Sequence, residues 1–154
     1  MTSHQTLIRI ATKYDIEPIV DLWYEAAYYH SELDPRLKVS PDERASVRIS
    51  FEKDIDSENV MLLAAETEDR VVGYISAKII ITAQVQLVSK MGFIEGITVT
   101  EAQRRRGVAT TLFKATLIWF KGQEIDQVRV DVAYYNSVAR KFWMRMNLQS
   151  FHYA

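Results

Sequence analysis

One stretch of the sequence, Gly92–Lys121, constrains the fold of this chain more than any other. It begins with an apolar segment rich in β-branched residues, passes through a basic turn, and continues into a helical pattern. The N–H groups of a first helical turn have no partners inside the helix and carry partial positive charge. A strand that enters a helix through a basic turn of small residues therefore predicts an anion site, which we expect to hold the pyrophosphate of a cofactor. The turn consists of Arg104, Arg105, Arg106, Gly107, Val108, Ala109 and Thr110.

The composition excludes several classes of protein. The 154 residues predict one domain over residues 1–154, and the formal net charge of −1 argues against a general nucleic-acid-binding protein. Because the sequence has no cysteine, disulfides, thiolate catalysis and cysteine-ligated zinc are excluded, and no metal site is predicted. We find neither the apolar core of a secretory signal nor an apolar run of membrane-spanning length, so we expect a cytoplasmic protein without a membrane partner.

The hydrophobic pattern predicts alternating strands and helices. The predicted strands are Leu7–Ala11, Asn59–Thr67, Arg70–Ile81, Gly92–Thr100, Gln127–Ala133 and Leu148–Ala154. The predicted helices are Tyr14–Ser31, Ser40–Ile55, Gly107–Gly122 and Asn136–Asn147. The pattern over Thr82–Lys90 fits either a strand or a loop.

This order, β-α-α-β-β-β-α-β-α-β, predicts an α/β fold in which helices cover a mixed sheet. Short links between residues 59 and 100 favour antiparallel pairing. The strands on either side of the helix that follows Thr100 should be parallel, because that helix forms a crossover connection.

The basic turn and its surroundings resemble the GNAT superfamily of N-acetyltransferases. Arg104–Ala109 matches the R/Q-x-x-G-x-G/A signature, and Asn136 and Ala139 match an Asn-x-x-Ala helix start further along the chain. The predicted element order from Leu7 onward is also the order that this family uses. The resemblance implies the GNAT-like acyl-CoA N-acyltransferase fold, with acetyl-CoA as the acetyl donor.

The resemblance also implies how acetyl-CoA would bind. The amides from Arg105 through Thr110 would hold the pyrophosphate, and Arg104 would help to position it. Asn136 is either a cofactor ligand or a simple helix N-cap. The pantetheine arm would pair like an added strand, where two parallel strands splay apart, with the backbone of Ile97, Thr98 and Val99.

Acetyl transfer to an amine requires a base, because a free alkylamine has a pKa of about 10.4 and must lose a proton before it attacks. Glu95 is the best candidate, since it is the only acid in the apolar central strand and many relatives place a glutamate there. Its alternative is an outward-facing or salt-bridged residue. A backbone N–H at Val99 could stabilise the oxyanion.

The departing thiolate raises a second question. Many relatives carry a tyrosine acid seven residues after the motif asparagine, but this chain has Trp143 there, and an indole N–H is not a usable acid. Tyr134 and Tyr135 could replace that tyrosine, or they could only pack at the end of the sheet. The thiolate could also leave unaided, because a comparable thiol has a pKa of about 8.5.

The acceptor should bind near the link between the first two helices. Aromatic and acidic side chains there suit a cationic amine, although each could equally be a packed or solvated residue. The predicted substrate residues are Tyr28, Tyr29, His30 and Glu32.

The leading hypothesis is an acetyl-CoA-dependent N-acetyltransferase that acts on a primary amine of a small molecule or peptide. The alternative is a non-catalytic acyl-CoA-binding or sensing module on the same fold, and RNA binding by the arginine turn is disfavoured by the net charge. A sheet edge left open near Ala154 would also favour a homodimer.

Overall fold

The computed structural model of the protein describes residues 5–84 and 87–149. Within them, the strands are β1 (Leu7–Ile10), β2 (Val60–Thr67), β3 (Arg70–Gln84), β4 (Leu87–Val99) and β5 (Val128–Val130). The helices are α1 (Ile16–Leu33), α2 (Arg44–Ile55), α3 (Val108–Gly122) and α4 (Ser137–Arg145). The order confirms the predicted α/β fold as far as α4.

The strands form one mixed sheet in the order β1-β2-β3-β4-β5. The first three pairs are antiparallel, and β4 and β5 are parallel, as the crossover through α3 requires. β3 and β4 form a long hairpin that reaches the pair Gln84↔Leu87. The undecided segment Thr82–Lys90 is therefore strand at 82–84 and at 87–90, while 85–86 lie outside the described residues.

Helices cover both faces of the sheet. α1 and α2 bury one apolar cluster, which includes Ile19, Phe51 and the sheet residue Tyr74. α3 and α4 cover the opposite face. The apolar residues of α3 recur at helical spacing, so they form one face, which is buried against the sheet. That face consists of Val108, Leu112, Phe113, Thr116 and Phe120.

A β-bulge in β4 shapes the middle of the sheet. Ser76 pairs with Gly96 and Ala77 pairs with Ile94, so Glu95 is an extra residue on β4. A bulge bends its strand and increases the local twist. β5 pairs with β4 only as far as Ile94, and the two strands diverge beyond it.

The strand predicted over Gln127–Ala133 is thus wrong in extent, since only Val128–Val130 form β5. Residues 131–133 have no strand partner because β4 bends away at its bulge.

The predicted strand Leu148–Ala154 falls largely outside the described residues. Leu148 and Gln149 are not in a strand, and 150–154 are not described. α4 ends at Arg145, two residues before the predicted end, and Asn147 adopts a left-handed φ of 66°. The homodimer therefore stays a prediction. Of the helices described, none is both long enough and apolar enough to cross a membrane.

Candidate active site

A cavity of about 730 Å³ opens where β4 and β5 diverge. One wall is β4 from Ile94 to Thr98, and the opposite wall is the segment from Val130 to Ala133. α1 and α2 close it from one face of the sheet, and α4 contributes Trp143 from the other. The basic turn follows β4, the strand that forms one wall of the cavity.

The basic turn presents a row of unpaired backbone donors. The first helical bond of α3 runs from Thr111 N–H to the Gly107 carbonyl at 3.0 Å, which leaves the three amides before Thr111 without helical partners. No described group accepts from the amides of residues 105–110. Gly107 has φ 79°, and a Cβ there would meet no atom within 4 Å. The turn therefore has the free donors and the open space that an anion needs.

The three arginines of the turn differ in position. Arg104 folds back onto the protein: its Nε donates to the Val99 carbonyl at 3.1 Å and its Nη2 pairs with Glu25 at 3.2 Å. It therefore anchors the turn to β4 and α1. Arg105, which has a left-handed φ of 62°, and Arg106 have exposed side chains without an ion pair within the described part of the chain.

The open edge of β4 offers backbone groups to the cavity. The Thr100 N–H donates to the Val72 carbonyl on the β3 side at 2.8 Å. Because successive residues of a strand point their amides to opposite edges, Thr98 also faces β3, whereas the amides of Ile97 and Val99 face the gap. The Thr98 side chain still lines the cavity.

Glu95 projects into the cavity and already has partners. Its Oε1 lies 2.6 Å from the Lys78 ammonium, and its Oε2 accepts from the Ser76 hydroxyl at 3.3 Å. The bulge places its side chain on the α1/α2 face, where Ser76 and Lys78 also point. The salt-bridged alternative for Glu95 therefore applies, and because the side chain also lines the cavity, its role as the base stays a prediction.

Asp54 on α2 is a second carboxylate in the cavity, and sequence reasoning missed it. Burial raises the pKa of Asp54 above its usual value; the charge of Glu95 raises it further, and Lys78 opposes the rise. Helical spacing could have identified Asp54 from the sequence, because Val47, Phe51 and Asp54 lie on one face of α2. Among the described residues, no group of three or more His, Asp or Glu side chains is arranged to hold a metal ion.

Tyr74 was also not predicted as a site residue, because the sequence pattern of a buried strand assigns its tyrosine to the hydrophobic core. It is 3% exposed and lines the cavity near Gly96. Burial raises the pKa of Tyr74 to about 12, so its hydroxyl stays protonated at neutral pH and can donate a hydrogen bond.

Asn136 caps α4 and also lines the cavity. Its Oδ1 accepts from the Ala139 N–H at 3.1 Å, so the N-cap reading applies, and its Nδ2 makes no hydrogen bond with a described residue. Trp143 is 5% exposed and stacks edge-on against Phe113 and Phe142. The position where relatives carry a tyrosine acid is core in this chain.

The two candidate tyrosine acids do not line the cavity. Tyr134 is 74% exposed and stacks on the Arg140 guanidinium, 4.7 Å from its ring centroid. Tyr135 lies against Asp34, whose pKa is lowered to about 2, first by hydrogen bonds from Arg36 and to a smaller extent by the Tyr135 hydroxyl. The structure thus brings neither tyrosine to Glu95.

The predicted substrate residues separate on the surface of α1. His30 lines the cavity, one turn beyond Ala26 and Ala27. Tyr28 lines a different pocket, beside Arg44. Tyr29 and Glu32 are exposed and line neither. Helix periodicity explains the split, because adjacent residues on a helix point about 100° apart.

Comparison with known proteins agrees with this geometry. The sequence profile described as the acetyltransferase (GNAT) family matches residues 19–147. No curated protein matches the sequence significantly.

Solved structures share the fold over nearly the whole chain. A mutant of the BH1408 protein of Bacillus halodurans is 20% identical, with a TM-score of 0.88 and 96% of each chain covered. The aminoglycoside 6'-N-acetyltransferase AAC(6')-IG of Acinetobacter haemolyticus is 22% identical, with a TM-score of 0.76 over 96% of this chain and 94% of that one. AAC(6')-Iy in complex with a CoA-S-monomethyl-acetylneamine bisubstrate analogue is 20% identical, with a TM-score of 0.74 over 97% and 95%.

The sequence profile, the mixed sheet and the cavity at its divergent strands lead to one assignment. The chain belongs to the acetyltransferase (GNAT) family, whose acetyl donor is acetyl-CoA.

Proposed function

We propose that the protein is an N-acetyltransferase that moves the acetyl group of acetyl-CoA to a primary amine by direct attack in a ternary complex. One observation carries the proposal. A single cavity holds the free backbone edge of β4, the Glu95 carboxylate and enough space for an acceptor beside them. When bound, acetyl-CoA supplies an activated thioester.

The residues of the chain would then divide the work. The amides of residues 105–110 hold the pyrophosphate, with help from Arg105 and Arg106. The Val99 N–H, which lies next to the turn, pairs with the pantetheine arm as a neighbouring strand would. The Ile97 N–H, which faces the gap nearer to Glu95, donates to the thioester oxygen as that oxygen gains negative charge.

Glu95 acts as the base in this proposal. Its carboxylate takes the proton of the acceptor ammonium, directly or through one water, and the neutral amine attacks. No tyrosine acid is required, because a thiolate is a stable leaving group at neutral pH relative to an amine. Trp143 then only packs against the cavity.

The cavity favours a cationic acceptor. Its lining contains the carboxylates of Asp54, Glu95 and Asp131, and no lysine or arginine among the described residues. Trp23 and Phe51 add aromatic faces, which attract cations. Aminoglycosides are polycationic amines, and the structurally similar AAC(6')-Iy binds an acetylneamine analogue, so aminoglycosides are one class of acceptor to test.

We place the protein in the cytoplasm as part of this proposal.

The alternative is a non-catalytic acyl-CoA-binding module. Two observations favour it: Trp143 is in the core, and Lys78 already occupies an oxygen of the candidate base.

A panel of amines separates the two functions. Purified protein is incubated with acetyl-CoA and with amino acids, polyamines, aminoglycosides or peptides, and the released CoA thiol is measured. We expect turnover with at least one cationic amine. If acetyl-CoA binds in calorimetry and every amine fails to release thiol, the binding module is the better description. If acetyl-CoA does not bind, both descriptions fail.

A further inference from the structure

Lys78 presents a primary amine to the candidate base within the protein itself. Its Nζ lies 2.6 Å from Glu95 Oε1, the distance of a charge-assisted hydrogen bond. An acceptor amine must make the same contact with the same carboxylate before it loses its proton. The Lys78 ammonium therefore contacts, from just outside the lining of the cavity, the carboxylate oxygen that an acceptor ammonium would contact.

The sheet explains why the ammonium lies at this point. Side chains two residues apart on a strand share a face, so Ser76 and Lys78 both point toward the α1/α2 face of β3. The ammonium reaches across to β4, where it lies 5.5 Å from the Phe93 ring centroid. Glu95 directly follows Ile94, the last residue of β4 that pairs with β5. The Lys78–Glu95 pair is thus at the apex of the gap between the divergent strands.

We propose that Lys78 is a self-acetylation site, whose Nζ takes the acetyl group from bound acetyl-CoA when no better acceptor fills the cavity. The inference rests on the proposed function, because it needs acetyl-CoA in the gap and Glu95 as the base.

The step balances without a further reactant. The Glu95 carboxylate takes one proton from the Lys78 ammonium, and the freed nitrogen lone pair forms a bond to the thioester carbonyl carbon. The carbon–sulfur bond breaks, and the second proton leaves the nitrogen for the CoA thiolate. The products are Nε-acetyl-Lys78, CoA thiol and protonated Glu95, which returns its proton to solvent.

The modification would change the site. An acetylated Lys78 has no charge, so it cannot form the ion pair with Glu95. The Glu95 and Asp54 carboxylates would then face the cavity without the lysine cation. A cationic acceptor would no longer have to displace an internal competitor.

Peptide mapping by mass spectrometry tests the proposal. The full chain is incubated with acetyl-CoA without an amine, and acetylation of Lys78 is compared with that of Lys121, an exposed lysine at the far end of α3. We expect Lys78 to react at least about tenfold faster, because a bound donor acts at high effective concentration.

As a matched comparison, the protein without acetyl-CoA is labelled with acetic anhydride, which acetylates lysines without a binding site. We expect the order to reverse, with Lys78 labelled more slowly than Lys121, because its ammonium is engaged by Glu95 and its side chain is only 37% exposed. The reversal between the two reagents would show that transfer to Lys78 is directed by bound acetyl-CoA.

Two variants complete the test. Lys78→Arg keeps a cation beside Glu95 and should lose the acetyl-CoA-dependent modification while still binding acetyl-CoA in calorimetry. Glu95→Gln should slow acetylation of Lys78 by acetyl-CoA and speed its labelling by anhydride. Equal acetylation of Lys78 and Lys121 by acetyl-CoA, in protein that binds it and acetylates an amine of the panel, overturns self-acetylation alone. Failure to bind acetyl-CoA overturns the proposed function as well.

Discussion

Glu95 owes its position to a single extra residue in β4. Without the bulge, strand alternation would continue unbroken and a residue at this point could not share a face with both Ser76 and Lys78. The carboxylate is held by a lysine and a serine, so it has one orientation ready for an acceptor amine.

We expect Glu95→Gln to lower kcat by about 100-fold or more, because a positioned general base contributes roughly 10²–10⁴ in rate. The affinity for acetyl-CoA should stay within about threefold of the native value, since the amides of residues 105–110 are unchanged. Steady-state kinetics with an amine from the panel, together with calorimetry, provide both numbers. An unchanged kcat would remove Glu95 from the mechanism.

Asp15 makes a separate contribution, to stability. It is 4% exposed, accepts two hydrogen bonds from Arg9 at 2.7 and 2.9 Å, and accepts the Thr12 N–H at 2.7 Å. The Arg9 hydrogen bonds hold the pKa of Asp15 below its usual range, with a further contribution from Thr12. A lowered pKa in the folded state means stability that is present above the unfolded pKa and is lost as the pH falls through the folded pKa.

Asp15→Asn should therefore lower the free energy of unfolding at pH 7 by about 1.5–3 kcal/mol, the range for hydrogen bonds to a charged group. The difference from the native protein should shrink in acid, as the native Asp15 becomes protonated. Urea unfolding at pH 7 and pH 3 measures this, with Asp126→Asn at an exposed site as the control. A difference that does not change with pH would contradict the assignment.

At the scale of elements, the basic turn depends on Gly107. Its φ of 79° is the left-handed region that favours glycine, and the space beyond its Cα is open. That space is where the proposed pyrophosphate would lie.

Gly107→Trp should weaken acetyl-CoA binding by at least about 100-fold, because the indole would displace an anion whose charge-assisted hydrogen bonds contribute about 1.5–3 kcal/mol each. Gly107→Asn is the control for backbone strain, since asparagine tolerates the left-handed region. It should fold as the native protein does and bind more weakly by a smaller factor. If folded Gly107→Trp bound acetyl-CoA with native affinity, the pyrophosphate could not lie in the basic turn.

Gly92 connects β4 to α3 by close packing. A Cβ at this position would lie 2.7–2.8 Å from the ring of Phe120, which is 1% exposed in the core. Atoms cannot approach this closely, so the ring or the strand would have to shift.

Gly92→Ala should destabilise the protein by about 1–3 kcal/mol, the usual cost of overpacking a core. Gly122→Ala is the matched control, because a Cβ there meets nothing within 4 Å and alanine is the better helix former by about 1 kcal/mol. Thermal unfolding of both variants should give shifts of opposite sign. A neutral Gly92→Ala would mean that Phe120 can move without cost.

At the scale of the whole molecule, the cavity joins parts that are distant in the chain. α1, α2, the β4 bulge and α4 each contribute to its walls, and the basic turn follows the strand that forms one of them. Ligand binding at such a point stabilises the entire fold by mass action.

Acetyl-CoA at 100 times its dissociation constant should therefore raise the free energy of unfolding by about 2.7 kcal/mol. Thermal or urea unfolding with and without the ligand measures the change. Acetylpantetheine at the same concentration is the control, and it should stabilise less because it lacks the pyrophosphate and the adenosine part of acetyl-CoA. Equal stabilisation by both would show that the turn does not bind the phosphates.

The sequence by itself determined the element order as far as α4, the mixed sheet and the family, and it predicted an anion site in the basic turn. These rest on local signals, namely hydrophobic periodicity and a basic turn of small residues with unpaired amides at a helix start, which do not depend on distant residues. Only the tertiary structure decided which side chains share the cavity. Asp54 shares a helix face with Val47 and Phe51, and Tyr74 fits a buried strand, but only the packing of α2 against β3 shows that both side chains line the cavity. The bulge at Glu95, the short β5 and the burial of Trp143 depend on strand pairing across the sheet, where a shift of one residue reverses every side chain.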